Sequence, residues 1–158
     1  MYIRNLTTVK TIFERDNREE LIARIKALDE TNTVQWGKMN LYQMLRHNTY
    51  WNGWILGKDG HTYKQEFLGK IFGKMALRSM IKDEKPMDKN IPTSSQFKVK
   101  TYEGDIRSEK AMWVSLLEEY QQFYNPAFIH DFFGKMTREQ IGILVYKHTD
   151  HHLRQFGG

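Results

Sequence analysis

The amino-acid sequence predicts an all-α protein: a four-helix bundle with a long crossover that carries an additional amphipathic helix. Four segments repeat apolar residues at helical spacing, and three of them begin with a capping-box motif. No segment alternates apolar and polar residues for long enough to predict a sheet. One short and two longer connections require at least one crossover. The whole chain, residues 1–158, is expected to form a single domain around one core.

Three helix starts are predicted by the capping box, in which a short polar side chain and a Glu or Gln three residues later satisfy free backbone N–H groups. The pairs are Asp16 with Glu19, Asn40 with Gln43, and Thr137 with Gln140. The apolar stripes that follow them are Leu21, Ile22, Ile25 and Leu28; Leu41, Met44, Leu45, Trp51 and Trp54; and Ile141, Leu144 and Val145.

The fourth bundle helix is predicted over residues 108–124, where apolar residues recur at Trp113, Leu116, Leu117, Tyr120 and Phe123. Residues 63–82 predict the amphipathic helix of the crossover, which Gly69 and Gly73 weaken. Its apolar residues are Phe67, Leu68, Ile71, Phe72, Met75 and Met80. Residues 82–100 contain two prolines and predict an extended linker, with a short strand at residues 97–99 left open.

Composition excludes several classes of protein. The chain contains no cysteine, which rules out disulfides, cysteine zinc sites and a thiol nucleophile of its own. The first ten residues lack the apolar run of a signal peptide, and no run of about 18 apolar residues predicts a transmembrane segment. We therefore expect a cytoplasmic protein.

The net charge of +5 is concentrated in residues 58–100, which hold ten of the 24 basic residues and five of the 19 acidic ones. Within this segment Lys70, Lys74 and Arg78 repeat every four residues beside an apolar face. That pattern is found in helices that bind membrane surfaces or phosphates. The favoured interpretation is a solvated face on a helix that lies over the mouth of the bundle. We predict no specific nucleic-acid partner.

Three of the six histidines fall on apolar stripes. The last helix presents Ile141, Val145, His148, His152 and Phe156 on one side, and the second presents Met44, His47, Trp51 and Trp54. Two imidazoles four residues apart can bind one ion, and a third from a facing helix completes three nitrogen ligands. Spacing alone leaves two interpretations open, a divalent-metal site and hydrogen-bonded core histidines.

The other polar residues are weaker candidates for metal ligands or catalytic groups. His151 is the alternative to His152 and is otherwise given a supporting or exposed role. His61 is expected to be solvated, and His130 is expected to be a structural loop residue rather than a substrate contact. Asp150 is two residues from both His148 and His152, so it should face away from them. Gln155 and Tyr50 are the nearest polar residues, and no catalytic residue is assigned.

Four motifs together resemble the DinB/YfiT-like superfamily, in particular a branch of it without an assigned activity. They are Trp36-Gly37-Lys38-Met39, Gln43-Met44-Leu45-x-His47, Phe133-Gly134-Lys135-Met136-Thr137 and His148-x-x-His151-His152-Leu153-Arg154-Gln155. The resemblance extends from about residue 16 to residue 156. It implies a four-helix bundle with a long crossover, and a zinc or nickel ion held by His47, His148 and His152, with His152 preferred to His151.

The resemblance also implies a function. Better-studied members of the superfamily are metal-dependent transferases or isomerases that use a low-molecular-weight thiol such as bacillithiol, mycothiol or glutathione. We therefore expect a metal-dependent enzyme acting on a small molecule, either a small-thiol S-transferase or a hydrolase. The alternatives are a metal-stabilised bundle without chemistry and a binding module that uses residues 58–100. A homodimer is left open.

Overall fold

The computed structural model describes residues 9–158, and within that range the protein consists of five α-helices without a β-strand. The helices are α1 (Arg15–Ala27), α2 (Leu41–Leu56), α3 (Phe67–Ile81), α4 (Ile106–Glu119) and α5 (Arg138–Gln155). Short 3-10 turns occupy Lys58–Gly60, Ser95–Phe97 and Tyr120–Gln122. The prediction of an all-helical protein is confirmed for this range, whereas residues 1–8 of the predicted domain lie outside it.

The core lies between the helices, and all five contribute buried side chains to it. Both α1 and α2 pack against α4 and α5, and α3 packs against α5. The predicted apolar stripes supply the fully buried side chains, among them Leu21, Ile25, Met44, Leu45, Trp113, Leu117, Tyr120 and Val145. Each large side chain removed from water in this way contributes about 1.5–3 kcal/mol. No helix among residues 9–158 combines the length and hydropathy that crossing a bilayer requires.

Two of the three predicted capping boxes are confirmed. The Asn40 side chain accepts from the backbone N–H of Gln43 at 2.9 Å, and the Gln43 side chain accepts from the N–H of Asn40 at 3.0 Å. Thr137 and Gln140 make the same reciprocal pair at 3.2 and 3.0 Å. These caps fix the starts of α2 and α5, the two helices that carry the three candidate histidines.

The capping box predicted at Asp16 and Glu19 is wrong. Helix α1 begins at Arg15, and its N-cap residue makes no side-chain cap bond. Asp16 therefore lies in the first turn, where a carboxylate still interacts favourably with the positive end of the helix dipole. Glu19 accepts from Arg15 at 2.7 Å. The buried guanidinium of Arg18 donates to the carbonyls of Ile12 and Phe13 and so holds the segment that precedes α1 against the helix.

Other boundaries also differ from prediction. Helix α3 begins at Phe67 rather than at residue 63. Helix α4 begins two residues early because Asp105 caps it, accepting from the N–H of Ser108 at 3.0 Å. Its predicted last turn tightens into the 3-10 turn Tyr120–Gln122. The predicted linker, residues 82–100, contains the 3-10 turn Ser95–Phe97 rather than a strand.

Helix α3 contacts the rest of the protein through Gly69, Gly73 and the fully buried Leu77. Gly69 and Gly73 lie against the backbone of Phe132, so closely that a Cβ atom on either would overlap the Phe132 carbonyl oxygen. The two residues that the sequence presents as weak points of the helix are therefore part of its contact surface. Five other apolar residues of the helix point outward: Phe67, Leu68, Ile71, Phe72 and Met75.

Replacing Gly73 with alanine should destabilise the protein by about 1–3 kcal/mol, because the new methyl group displaces α3 from Phe132. The matched control is Gly53→Ala in α2, where the nearest atom to a new Cβ is the Lys58 Cβ at 3.8 Å. That control should gain up to about 1 kcal/mol from helix propensity. Urea unfolding measures both, and equal stabilisation of the two variants would contradict the close glycine contact.

Candidate metal centre

Three imidazoles from two helices converge inside the protein. His47 comes from α2, His148 and His152 come from α5, and one ring nitrogen from each lies within 4.8 Å of the others. The Nε2 atoms of His47 and His148 are 3.4 Å apart. Two nitrogen ligands of a tetrahedral zinc ion, each about 2.0–2.1 Å from the metal, are about 3.3–3.4 Å apart. The group can therefore hold a metal ion.

Hydrogen bonds fix the orientation of two of these rings. His47 donates from Nδ1 to the carbonyl oxygen of Phe97 at 3.0 Å. His152 donates from Nδ1 to Oε1 of Gln155 at 2.8 Å, and Gln155 in turn donates to the carbonyl of Trp36 at 3.0 Å. A proton held on Nδ1 leaves Nε2 as a free lone pair, which is the arrangement found in metal-binding histidines.

His148 is held differently. Its ring stacks on Trp51, with the centroids 3.8 Å apart and the planes 12° from parallel. Its Nδ1 is buried without a hydrogen-bond partner among residues 9–158. In either neutral tautomer of His148, Nδ1 has no hydrogen-bond partner in the described part of the chain, and an unsatisfied buried polar atom destabilises the fold. An ion bound at Nε2 would leave Nδ1 unpaired as well, so the assignment of His148 as a ligand rests on the position of its Nε2 beside His47.

Burial keeps the three rings neutral. Removal from water lowers the pKa of His47 below its ordinary value, although the bond to Phe97 acts in the opposite direction. The pKa values of His148 and His152 fall well below the ordinary value, first because of burial and then because neighbouring imidazoles oppose a second positive charge. Neutral imidazole is the form that binds metals.

A cavity of about 590 Å³ adjoins the three histidines. Its apolar wall includes Trp51, Met80, Phe97, Phe132, Phe133 and Leu144, and its polar residues include His130, Asp131 and His151. Three protein ligands beside open space are typical of catalytic metal sites, whereas structural sites are closed by a fourth protein ligand. The volume suits a small molecule.

Asp131 places a negative charge on the cavity wall. Its carboxylate accepts from the Ser94 hydroxyl at 2.8 Å and the Gln96 amide at 2.9 Å, and it lies 3.0 Å from Nδ1 of His130. Burial acts to raise the pKa of Asp131, but these contacts outweigh it and lower the pKa to about 2. The group is therefore ionised at neutral pH, and it is a polar feature of the cavity that the sequence did not predict.

The other three histidines, His61, His130 and His151, do not belong to the converging group. His61 is exposed, as predicted. His130 is buried, and backbone bonds of 3.0 and 2.9 Å to Gly134 hold its loop, in keeping with a structural role, although it also lines the cavity. His151 is also buried, edge-on to Trp36 on the cavity wall, and is not one of the three converging residues.

The acidic and polar candidates separate into two groups. Asp150 faces α1 and accepts from Arg24 and Arg154, each at 2.7 Å, so the prediction that it faces away from the histidines is confirmed. Tyr50 is 43% exposed beneath the guanidinium of Arg46 and does not line the cavity. Gln155, in contrast, orients His152 directly.

The support for His152 explains the Trp36-Gly37 motif. Gly37 has φ +85°, and a Cβ atom there would lie 2.7 Å from the Gln155 amide nitrogen. Glycine adopts this backbone conformation without strain and leaves room for the Gln155 amide beside it. The contact between His152 and Gln155 could have been predicted from the sequence, because residues three apart on a helix are neighbours. The bond from His47 to Phe97 could not, because its acceptor is a backbone carbonyl in a linker.

The fold and the site thus define a helical protein with three buried histidines beside a small cavity. The chain belongs to the DUF1569 family, described as a protein of unknown function, whose sequence model matches residues 10–157. Neither the curated proteins nor the solved structures gave a match. The matched range contains all five helices and all three histidines.

Asp131→Asn should lower the free energy of unfolding at pH 7 by about 2 kcal/mol, because the folded-state pKa of about 2 lies below the ordinary 3.8. A lowered carboxyl pKa stabilises the fold above the unfolded-state value, and this contribution disappears as the pH falls from about 4 towards 2. Urea unfolding across this range should show the difference between wild type and variant shrinking in acid. A difference that grows in acid would refute the assignment, and the exposed Asp88→Asn serves as control.

Proposed function

We propose that this protein is a metal-dependent enzyme in which His47, His148 and His152 bind one divalent ion, zinc or nickel, and that it acts on a small molecule. The observation that carries the proposal is the convergence of three neutral, buried ring nitrogens beside a cavity. Two of the rings have their other nitrogen committed to an acceptor, so the lone pairs that face one another are the ones a metal needs.

The helix contacts support a DinB/YfiT-like four-helix bundle as the arrangement. Following the contacts from α1 to α4, to α2, to α5 and back to α1 closes a ring of four helices. Helix α3 lies in the connection between α2 and α4, where a long crossover would run. Both features agree with the fold that the sequence motifs imply.

The cavity favours a catalytic over a purely structural metal. Among residues 9–158, the group that can hold an ion contains three histidines and no fourth histidine, cysteine or carboxylate. A structural zinc site would need that fourth ligand. The alternative of a metal-stabilised bundle without chemistry predicts a closed site, which the adjoining cavity of about 590 Å³ does not favour.

The reaction classes that fit are thiol transfer to an electrophilic small molecule and hydrolysis. A bound divalent ion would lower the pKa of water or of a thiol and so supply a nucleophile at neutral pH. Because the chain has no cysteine, a thiol would have to come from a low-molecular-weight cofactor. Trp51 shields one face of His148 from water, and Asp131 offers a fixed carboxylate to a hydrogen-bond donor or cation of the substrate.

Metal analysis of untagged protein should find one divalent ion per chain. The variants His47→Ala and His152→Ala should lose the ion, because two imidazoles alone bind it far more weakly. The controls His61→Ala and His151→Ala should retain it, since neither residue belongs to the converging group. Stoichiometric metal in both His47→Ala and His152→Ala would refute the site.

Activity is tested separately on the metal-loaded protein. Thiols offered with electrophiles, and esters or amides offered alone, should give turnover in the wild type and none in His152→Ala. If the metal raises the melting temperature but every substrate fails, the ion is structural and the enzymatic proposal is wrong.

Gln155→Ala should weaken zinc binding by about 10–100-fold without removing a ligand, because His152 loses the acceptor that fixes its tautomer. Gln121→Ala is the matched control, since Gln121 is exposed and, among residues 9–158, its side chain bonds only to the Glu118 carbonyl in its own turn. Titration calorimetry measures both affinities. Equal affinities in the two variants would show that Gln155 does not orient the site.

A further inference from the structure

The outward side of α3 is a continuous apolar surface. Its five members are Phe67 (74% exposed), Leu68 (60%), Ile71 (57%), Phe72 (48%) and Met75 (67%). Residues four apart on a helix are neighbours, so the five side chains form one stripe rather than scattered contacts. A stripe of this kind on a protein surface marks an interaction site.

A basic row accompanies the apolar surface of α3. Lys70, Lys74 and Arg78 are exposed and follow one another at four-residue intervals. Residues Phe67–Ile81 contain no acidic side chain. The Lys74 amine donates to the carbonyl of Lys135, which brings a further exposed lysine next to the row. The outer side of α3 is therefore apolar along one strip and positive along the next.

We propose that α3 docks the protein on an anionic phospholipid bilayer. A surface-bound helix buries its apolar side chains at the boundary between headgroups and acyl chains, while lysine and arginine contact the anionic headgroups. Helix α3 has both components, and with 15 residues it would lie in the plane of the surface rather than cross it.

The opposite side of α3 suits this orientation. Gly69 and Gly73 bring the helix backbone against Phe132, and Leu77 is buried in the core, so the helix is anchored on this side while its five exposed apolar side chains lie on the other. The helix is already formed and anchored, so docking would not require a segment to fold on the membrane.

Other occupants fit the surface less well. A second copy that covered the apolar stripe would bring two basic rows close together, with no acidic side chain on either α3 to compensate. A nucleic acid would satisfy the basic row but leave Phe67, Ile71 and Met75 in water. An anionic bilayer satisfies both components at once.

Vesicle flotation tests the proposal with the full-length chain. Vesicles of phosphatidylglycerol and phosphatidylcholine in equal parts should carry the wild type, whereas vesicles of phosphatidylcholine alone should carry far less. Lys70→Gln with Arg78→Gln should weaken partitioning by roughly thirtyfold. Ile71→Ser with Met75→Ser should weaken it by at least about tenfold.

Two matched pairs control for overall charge and hydrophobicity. Lys38→Gln with Arg107→Gln removes the same charge at exposed sites elsewhere, and Val34→Ser with Met112→Ser removes exposed apolar side chains elsewhere. Both should bind like the wild type. Failure of the wild type to float, or an equal loss in the control pairs, would overturn the proposal. So would sedimentation showing a dimer that Ile71→Ser with Met75→Ser converts to monomer.

Discussion

Three imidazoles lie against one another in an apolar interior, and this contact constrains much of the surrounding structure. Each ring carries two nitrogens that must find partners or leave a buried polar group unsatisfied at a cost of about 1–3 kcal/mol. The Phe97 carbonyl and the Gln155 amide each satisfy one, and Trp51 covers the face of His148. The Nε2 atoms of His47 and His148 face each other at 3.4 Å, where a metal ion would join them with a ring nitrogen of His152, whereas Nδ1 of His148 has no partner among residues 9–158.

The connections between helices serve this centre as much as the helices do. The turn at Trp36 and Gly37 holds Gln155, and the 3-10 turn Ser95–Phe97 supplies the acceptor for His47. Helix α3 contributes Met80 to the cavity wall while its outer side remains free. The crossover therefore combines support for the site with a separate surface, and the two roles use opposite sides of one helix.

Patterns of side chains in the sequence predicted the features that side chains themselves determine, namely buried helix faces and helix starts. The apolar stripes placed His47, His148 and His152 on inward faces, and Asn40 and Thr137 marked helix starts correctly. Asp16 failed as a cap because α1 begins one residue before it, which places its carboxylate inside the first turn. The bond from His47 to the Phe97 carbonyl and the contact of the α3 glycines could not be predicted from the sequence, because both are backbone contacts between distant segments.

The most direct test of the central claim is a crystal structure of the zinc-loaded protein, with anomalous diffraction measured on both sides of the zinc absorption edge. We expect one anomalous peak bonded to a ring nitrogen of His47, His148 and His152 at about 2.0–2.1 Å, with its remaining coordination position open to the cavity. A zinc peak elsewhere, or three histidine rings that contact only one another in zinc-saturated crystals, would contradict it.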